Sequence, residues 1–216
     1  MPLRIKPLEL NRLHLMDCKI GLRRLPPGSV DHIFTDPPYV ADQWEEAYGI
    51  LAKAAPRILR PSGFCLTYAP QLRLPEIINM ILDEGLLWYW IIPQLNLGKS
   101  TALVHQRNAI CLHKPILVFQ KPPERKTPLV FADVVRSLRQ KAFHPWQQSV
   151  HDGLSVMSRF CLTNEIVCDP FAGTATTLLA AKLLGLRWVG CEINPATHRM
   201  GLYRLAQTRL DVGALL

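Results

Sequence analysis

Seven apolar runs recur along the chain, most of them the length of a buried strand. They are "LHLMD" near 13–17, "VDHIFTD" near 30–36, "GFCLTYA" near 63–69, "LLWYWII" near 86–92, "AICLHKPILVFQK" near 109–121, "EIVCDPF" near 165–171 and "LRWVGCEI" near 186–193. Helical patterns fall between most of them. In "ADQWEEAYGILAKAA" the residues Trp44, Ala47, Tyr48, Leu51, Ala52 and Ala55 share one face, and Asp42 with Glu45 has the spacing of a capping box. "LPEIINMILDEG" carries Pro75 where a first helical turn tolerates it and Gly85 where a helix stops. "TATTLLAAKLLG" starts with Thr174 as N-cap and ends at Gly185, and "NPATHRMGLYRLAQTRL" has Asn194 as cap with Pro195 at the first helical position. Strands alternating with helices predict an α/β fold, a largely parallel sheet covered on both faces. Residues 93–145 interrupt the alternation with "NLGKSTALVHQRN", a strand-like run and "KPPERKTP", and read as an insertion. Trp88, Tyr89 and Trp90 read as strand core rather than as a base-stacking platform.

Composition sharpens this picture in two places. About half of the 216 residues are apolar, enough for a sizeable core without disulfides or metals. The six cysteines, at 18, 65, 111, 161, 168 and 191, show no C-x-x-C, and no His pair stands at ligand spacing. Buried free thiols in a reducing compartment, and no metal, are expected. No apolar run approaches a membrane span, and "MPLRIKPLELNRLHL" lacks the features of a signal peptide, so a cytoplasmic protein is expected. The net charge of +8 is concentrated: residues 97–142 hold nine Lys/Arg against Glu124 and Asp133. Such a segment suits a polyanion such as nucleic acid; a solvated loop kept soluble by its lysines has the same charge.

Two short segments carry candidate chemistry. In "VCDPFAGTATT" a strand ends in Asp169 and Pro170, and a small-residue turn through Ala172, Gly173 and Thr174 opens a helix. Ligands of open α/β sheets bind at such turns, and glycine lets them approach the backbone. Neither G-x-G-x-x-G nor G-K-[ST] is present, which disfavours dinucleotides and triphosphates. Glu192, at the end of the next strand, stands where a carboxylate accepts hydrogen bonds from ribose hydroxyls. Adenosine without a phosphate loop points to S-adenosylmethionine. In "TDPPY" two prolines hold a stiff extended turn, Asp36 projects beyond the strand, and Tyr39 offers a flat face. An exocyclic amine on a planar base fits these parts. Its N–H groups can donate to the Asp36 carboxylate and the Pro37 carbonyl while the base stacks on Tyr39. Taken alone, "VCDPFAGTATT" reads as well as an ordinary strand-turn-helix, and "TDPPY" better as a stiff turn than as a site.

Together, "LHLMDCKIGLRRLPPGSVDHIFTDPPYV", "ILRPSGF" and "DPFAGTATTLLAAKLLGLRWVGCEINP" resemble the β-class DNA amino-methyltransferases, over most of the chain outside about 93–143. The order is permuted, the D-P-P-Y motif preceding the cofactor motif with target recognition between. The resemblance implies one Rossmann-like methyltransferase domain over 1–216, a seven-stranded mostly parallel sheet with one antiparallel strand, and a basic target-recognition insertion at about 93–143. It implies Asp36, Pro37, Pro38 and Tyr39 as the catalytic motif. It also implies Asp17, Asp36, Asp169, Phe171, Ala172, Gly173, Thr174, Glu192 and Ile193 at S-adenosylmethionine. "HPWQQSV" resembles the family's His-Pro-Thr-Gln-Lys-Pro element, so His144, Gln147 and Ser149 join the cofactor set. Trp146 and Gln148 replace the threonine and lysine of that element, which puts its contacts in doubt. Lys99, Arg107, Lys114, Arg125, Lys126, Arg136 and Arg139 are expected to grip phosphates of double-stranded DNA. A homodimer and a cognate restriction enzyme are further expected partners. The expected activity is methylation of adenine N6 in DNA, with cytosine N4 as the nearest alternative. The altered "HPWQQSV" motivates a third reading, a decayed nucleic-acid-binding module on the same fold.

Overall fold

The strand Val30–Thr35 is buried at every position, as a strand must be when helices cover both faces of its sheet. It is β2 of ten strands among the residues that the computed structural model describes, 6–39, 43–96, 102–137 and 149–207. The others are β1 (Arg12–Leu15), β3 (Leu59–Tyr68), β4 (Leu87–Asn96), β5 (Ala102–Val104), β6 (Ala109–Cys111), β7 (His113–Gln120), β8 (Val135–Ser137), β9 (Ile166–Asp169) and β10 (Arg187–Glu192). The helices are α1 (Cys18–Arg24), α2 (Gln43–Ile58), α3 (Leu74–Asp83), α4 (Val150–Phe160), α5 (Thr176–Leu183) and α6 (Pro195–Ala206).

One sheet runs in the order β1-β10-β9-β2-β3-β7-β4-β8. Its strands pair in parallel except β7, which is antiparallel to both β3 and β4. The expected seven strands and single antiparallel strand are therefore joined by an eighth, the short edge strand β8. A side-chain bond anchors it: Ser137 Oγ donates to the buried Asp152 Oδ2 of α4 at 2.6 Å.

The segment 93–143 does more than form an insertion. It completes β4, leaves the sheet as the separate β5–β6 hairpin, and returns as β7, whose Ile116, Leu117, Val118 and Phe119 are fully buried. The run at 109–121 is thus two strands, broken at Leu112.

Period-two alternation sends neighbouring strand residues to opposite layers. Phe64, Leu66 and Tyr68 of β3 pack in the core that also holds Val156 and Phe160 of α4 and Leu178 of α5. Cys65 of the same strand packs with Tyr48, Leu51 and Ala55 of α2 and Ile77 and Ile81 of α3. Full burial of a leucine or phenylalanine contributes up to about 1.5–3 kcal/mol each. Phe64, Tyr89 and Phe160 make edge-on contacts with centroids 5.0 to 6.4 Å apart. Tyr89 is the inward residue of its trio. Trp88 and Trp90 point the other way and are 40% and 47% exposed, against the expectation that all three form strand core.

Asn194 caps α6 as expected, accepting from the backbone N–H groups of Ala196 and Thr197. The cap of α5 is not Thr174 but Ala175, in a left-handed conformation at φ 62°. Asp42 of the expected capping box lies outside the described residues. At Gly190 a Cβ would stand 2.5 Å from Leu178 Cδ1 and 3.1 Å from the Asp169 carbonyl oxygen, so glycine lets α5 seat closely on β10. Among the described residues no helix is long and apolar enough to cross a membrane.

Candidate active site

From β9 the chain crosses to β10 on one side, and from β2 it crosses to β3 on the other. The loops leaving the carboxyl ends of β2 and β9 therefore diverge, opening the crevice where open α/β sheets bind ligands. A buried bond joins the two strand ends: Thr35 Oγ1 donates to Asp169 Oδ1 at 2.6 Å, and the Phe171 N–H reaches the same oxygen at 3.1 Å. Burial pushes the Asp169 carboxyl up to about 7, and the bonds from Thr35 and Phe171 offset part of that rise. Asp169 was expected at the cofactor; it sits beneath the loop and fixes its shape.

Two more residues of this loop are structural. Ala172 is buried and donates its N–H to the Cys191 carbonyl at 2.9 Å. Thr174 is buried under Arg204, whose Nη1 donates to the Thr174 carbonyl at 2.7 Å and to its hydroxyl at 2.8 Å. Burial lowers the Arg204 guanidinium to about 10, still cationic at neutral pH. Phe171 and Gly173 remain to face the crevice. Gly173 has φ +53°, a left-handed turn that favours glycine, and its missing Cβ would meet nothing within 4 Å.

The crevice has a volume of about 520 Å³. Asp17, Asp36, Pro38, Phe171, Gly173, Glu192 and Ile193 all line it, so residues far apart in sequence converge as expected. Asp17 also caps α1, accepting from the Lys19 N–H at 2.6 Å. Glu192 Oε1 accepts from the Asn194 N–H at 2.6 Å, which orients the carboxylate at the strand end. Ile193 is 65% exposed and offers the crevice an apolar surface. The expectation missed Glu46 of α2 and Lys19 of α1, which pair across one side of the crevice. Only the helical period of α2 hinted at them, since it turns Glu46 away from the buried stripe.

The Asp36–Tyr39 motif has a partner that the sequence left among the phosphate contacts. Lys114 of β7 donates to Asp36 Oδ2 at 2.7 Å, and its ammonium lies 4.9 Å from the Tyr39 ring centroid and 4.4 Å from that of Tyr68. Burial pulls the Lys114 ammonium down, but Asp36 and Tyr39 more than offset it and leave it above the ordinary lysine value. Burial also raises the Tyr39 phenol, helped by Asp36. Tyr48 donates to the Tyr68 carbonyl at 2.5 Å and braces this wall from α2.

The other expected phosphate contacts divide. Arg107, in the turn between β5 and β6, and Arg136 are exposed; Arg136 lies on β8 beside the end of β4, at the crevice side of the sheet. Arg125 and Lys126 follow β7, at the amino ends of the parallel strands and away from the crevice. There Arg125 Nη2 lies 3.7 Å from Glu165 and its guanidinium stacks 5.6 Å from the Phe64 ring. Lys114 and Arg125 thus already hold protein partners, Asp36 and Glu165, and Lys126 lies at the sheet end away from the crevice. Ser149 is buried at the N-cap position of α4 and does not line the crevice. Lys99, Arg139, His144 and Gln147 lie outside the described residues.

A parallel sheet with one antiparallel strand, and a crevice pairing a glycine turn with a strand-end glutamate, define the class I methyltransferase fold. Solved structures share it. PvuII DNA methyltransferase, cytosine-N4-specific, superposes with a TM-score of 0.80 at 15% identity, over 98% of this chain and 92% of that one. M1.HpyAVI, crystallised as its SAM complex, superposes with a TM-score of 0.75 at 22% identity, over 90% of this chain and 98% of that one. A protein of Escherichia coli (strain K12) described as a methylase, YubD, is 27% identical over 92% of both chains. Residues 154–202 match the model of the N6/N4 methyltransferase family, described as DNA methylase. The family model, the methylase relative and the shared fold together support a β-class DNA amino-methyltransferase, S-adenosylmethionine-dependent and acting on adenine N6 or cytosine N4.

Proposed function

We propose that this chain methylates the N6 amine of adenine in DNA by direct attack of a flipped base, with Asp36–Tyr39 as its catalytic motif. The observation that carries the reading is convergence: Asp36 shares one crevice with Phe171, Gly173 and Glu192. The residues fit S-adenosylmethionine. Gly173 leaves open space at a turn, Glu192 presents a carboxylate for ribose hydroxyls, and Phe171 and Ile193 supply apolar surface. When bound, that group supplies an activated methyl on a sulfonium. Asp17 and Glu192 then bind the nucleoside, and the Phe171–Gly173 turn supports its methionine side.

The chain's own part in the chemistry is positioning and electrostatics. The lone pair of an aromatic amine is delocalised into its ring. Hydrogen bonds from the amine to the Asp36 carboxylate favour a pyramidal nitrogen whose lone pair faces the crevice. The Tyr39 face holds the base plane. S-adenosylmethionine bound there would supply the methyl to that nitrogen and leave as the neutral thioether, and Asp36 is positioned to accept the proton that the methylated amine would shed. The D-P-P-Y sequence supports adenine by resemblance. Cytosine N4 presents the same amine beside a ring acceptor and fits the same contacts. The exposed Arg136 on the crevice side, with Arg107 exposed in the β5–β6 turn, supports a DNA-facing surface, and a second copy of the chain would extend so short a reader.

The test is to incubate the chain with plasmid DNA and methyl-labelled cofactor and to identify the modified base by mass spectrometry. N6-methyladenine supports the proposal, N4-methylcytosine replaces it with the alternative, and no transfer by a cofactor-binding chain favours the decayed module.

A further inference from the structure

The Lys114 ammonium already stands where the reaction needs an amine. It is a donor nitrogen on Asp36 Oδ2, over the Tyr39 ring, and the target amine has to make the same two contacts. The two side chains are only 17% and 25% exposed, so the pair is enclosed. Tyr68 closes the remaining side with its ring 4.4 Å from the ammonium. A base amine and a lysine ammonium compete for the same carboxylate oxygen.

Electrostatics adds a second conflict. Methyl transfer begins with a sulfonium and builds positive charge on the attacking nitrogen. An ammonium held on Asp36 cancels the counter-charge that this carboxylate would offer to both. The contact is therefore incompatible with the reacting geometry. A lysine can yield it readily, because its charge sits on a flexible four-carbon stem. A flipped nucleotide also brings a phosphate toward which a released ammonium can turn.

Resting on the function proposed above, we infer that Lys114 is a positioning residue that holds the place of the target amine on Asp36, and that the base binds by displacing it. Until then the pair keeps a half-buried carboxylate satisfied and blunts its attraction for the sulfonium.

The test needs no knowledge of the recognition sequence. Calorimetry compares binding of cationic S-adenosylmethionine with that of neutral S-adenosylhomocysteine, in the full chain and its variants. Lys114→Met should raise the preference for the cationic ligand by about threefold or more. Lys114→Arg, which keeps the charge, should restore the original preference. In an Asp36→Asn background Lys114→Met should add nothing. With plasmid DNA, KM for DNA should fall by a larger factor than kcat in Lys114→Met. An unchanged preference, or an equal shift with and without the Asp36 carboxylate, would overturn the assignment and leave Lys114 a structural cation. A wild-type chain that binds both ligands but transfers no methyl refutes the proposed function, while the ligand preference still decides on Lys114.

Discussion

The two ends of the sheet carry similar charges and use them differently. At the amino ends of the parallel strands, His32 Nε2 bonds Glu165 at 2.8 Å, and Asp31 binds Arg60 and the Ile166 N–H, each at 2.8 Å. The Phe64 N–H lies 3.4 Å from His32 Nδ1 on the other side of the ring. These charges are spent on one another and lock β2, β3 and β9 together. At the carboxyl ends the strands diverge, and Asp17, Asp36 and Glu192 gather around open space. Polar groups closed on each other hold structure; polar groups arranged around a crevice can meet a ligand. Charge counted along the sequence does not distinguish the two, as Arg125 and Lys126 show.

The contrast can be broken from either end. The largest effect is expected at Asp36. Asp36→Ala should lower methyl transfer to plasmid DNA by roughly 10²–10³-fold, with cofactor affinity by calorimetry changed far less. Unchanged turnover would remove Asp36 from the chemistry. At the other end, His32→Ala should cost about 3 kcal/mol of stability in urea unfolding, as for removing another buried ring, while the folded variant keeps its cofactor affinity. A loss of affinity without a loss of stability would contradict the division.

Asp169 lies between these cases, buried in structure yet directly beneath the site. Burial pushes its carboxyl up to about 7 in the folded protein, well above the ordinary aspartate value of about 4. The folded state therefore binds the proton more tightly, and this contribution to stability is full below about pH 4 and lost as pH rises through 7. The melting temperature of the wild type, relative to Asp169→Asn, should fall between pH 4 and 7. A flat difference would show that the carboxyl titrates normally.

The smallest effect separates the basic residues. Arg107→Ala and Arg136→Ala should each reduce the salt slope of DNA binding by about 1, whereas Arg125→Ala and Lys126→Ala should leave it unchanged. Equal slopes for all four would return Arg125 and Lys126 to the DNA-facing group.

Much of the architecture was legible because its causes are local. Apolar runs of strand length, the Asn194 cap, the Pro75 entry and the Gly85 stop each follow from a few neighbouring side chains. The helices α1 and α4 escaped notice. The first is only seven residues long, and the second follows the segment read as an insertion. The crevice was legible as two turns and a strand-end glutamate, since D-P-P-Y and D-P-F-A-G-T are contiguous.

The sequence by itself therefore determined the alternation of strands and helices outside 93–145, the largely parallel sheet and the residues that leave the carboxyl ends of β2, β9 and β10. Only the tertiary structure decided what those residues face. It turned Asp169, Ala172 and Thr174 inward, made Arg204 the brace of the loop, and joined Thr35 to Asp169 across 134 positions of sequence. It also carried Lys114 across 78 positions, from a basic segment onto Asp36. The physical reason is that propensity and periodicity act between residues a few positions apart. Burial and hydrogen-bond partners depend on strand order, which brings β2 beside β9 and sets β7 antiparallel next to β3.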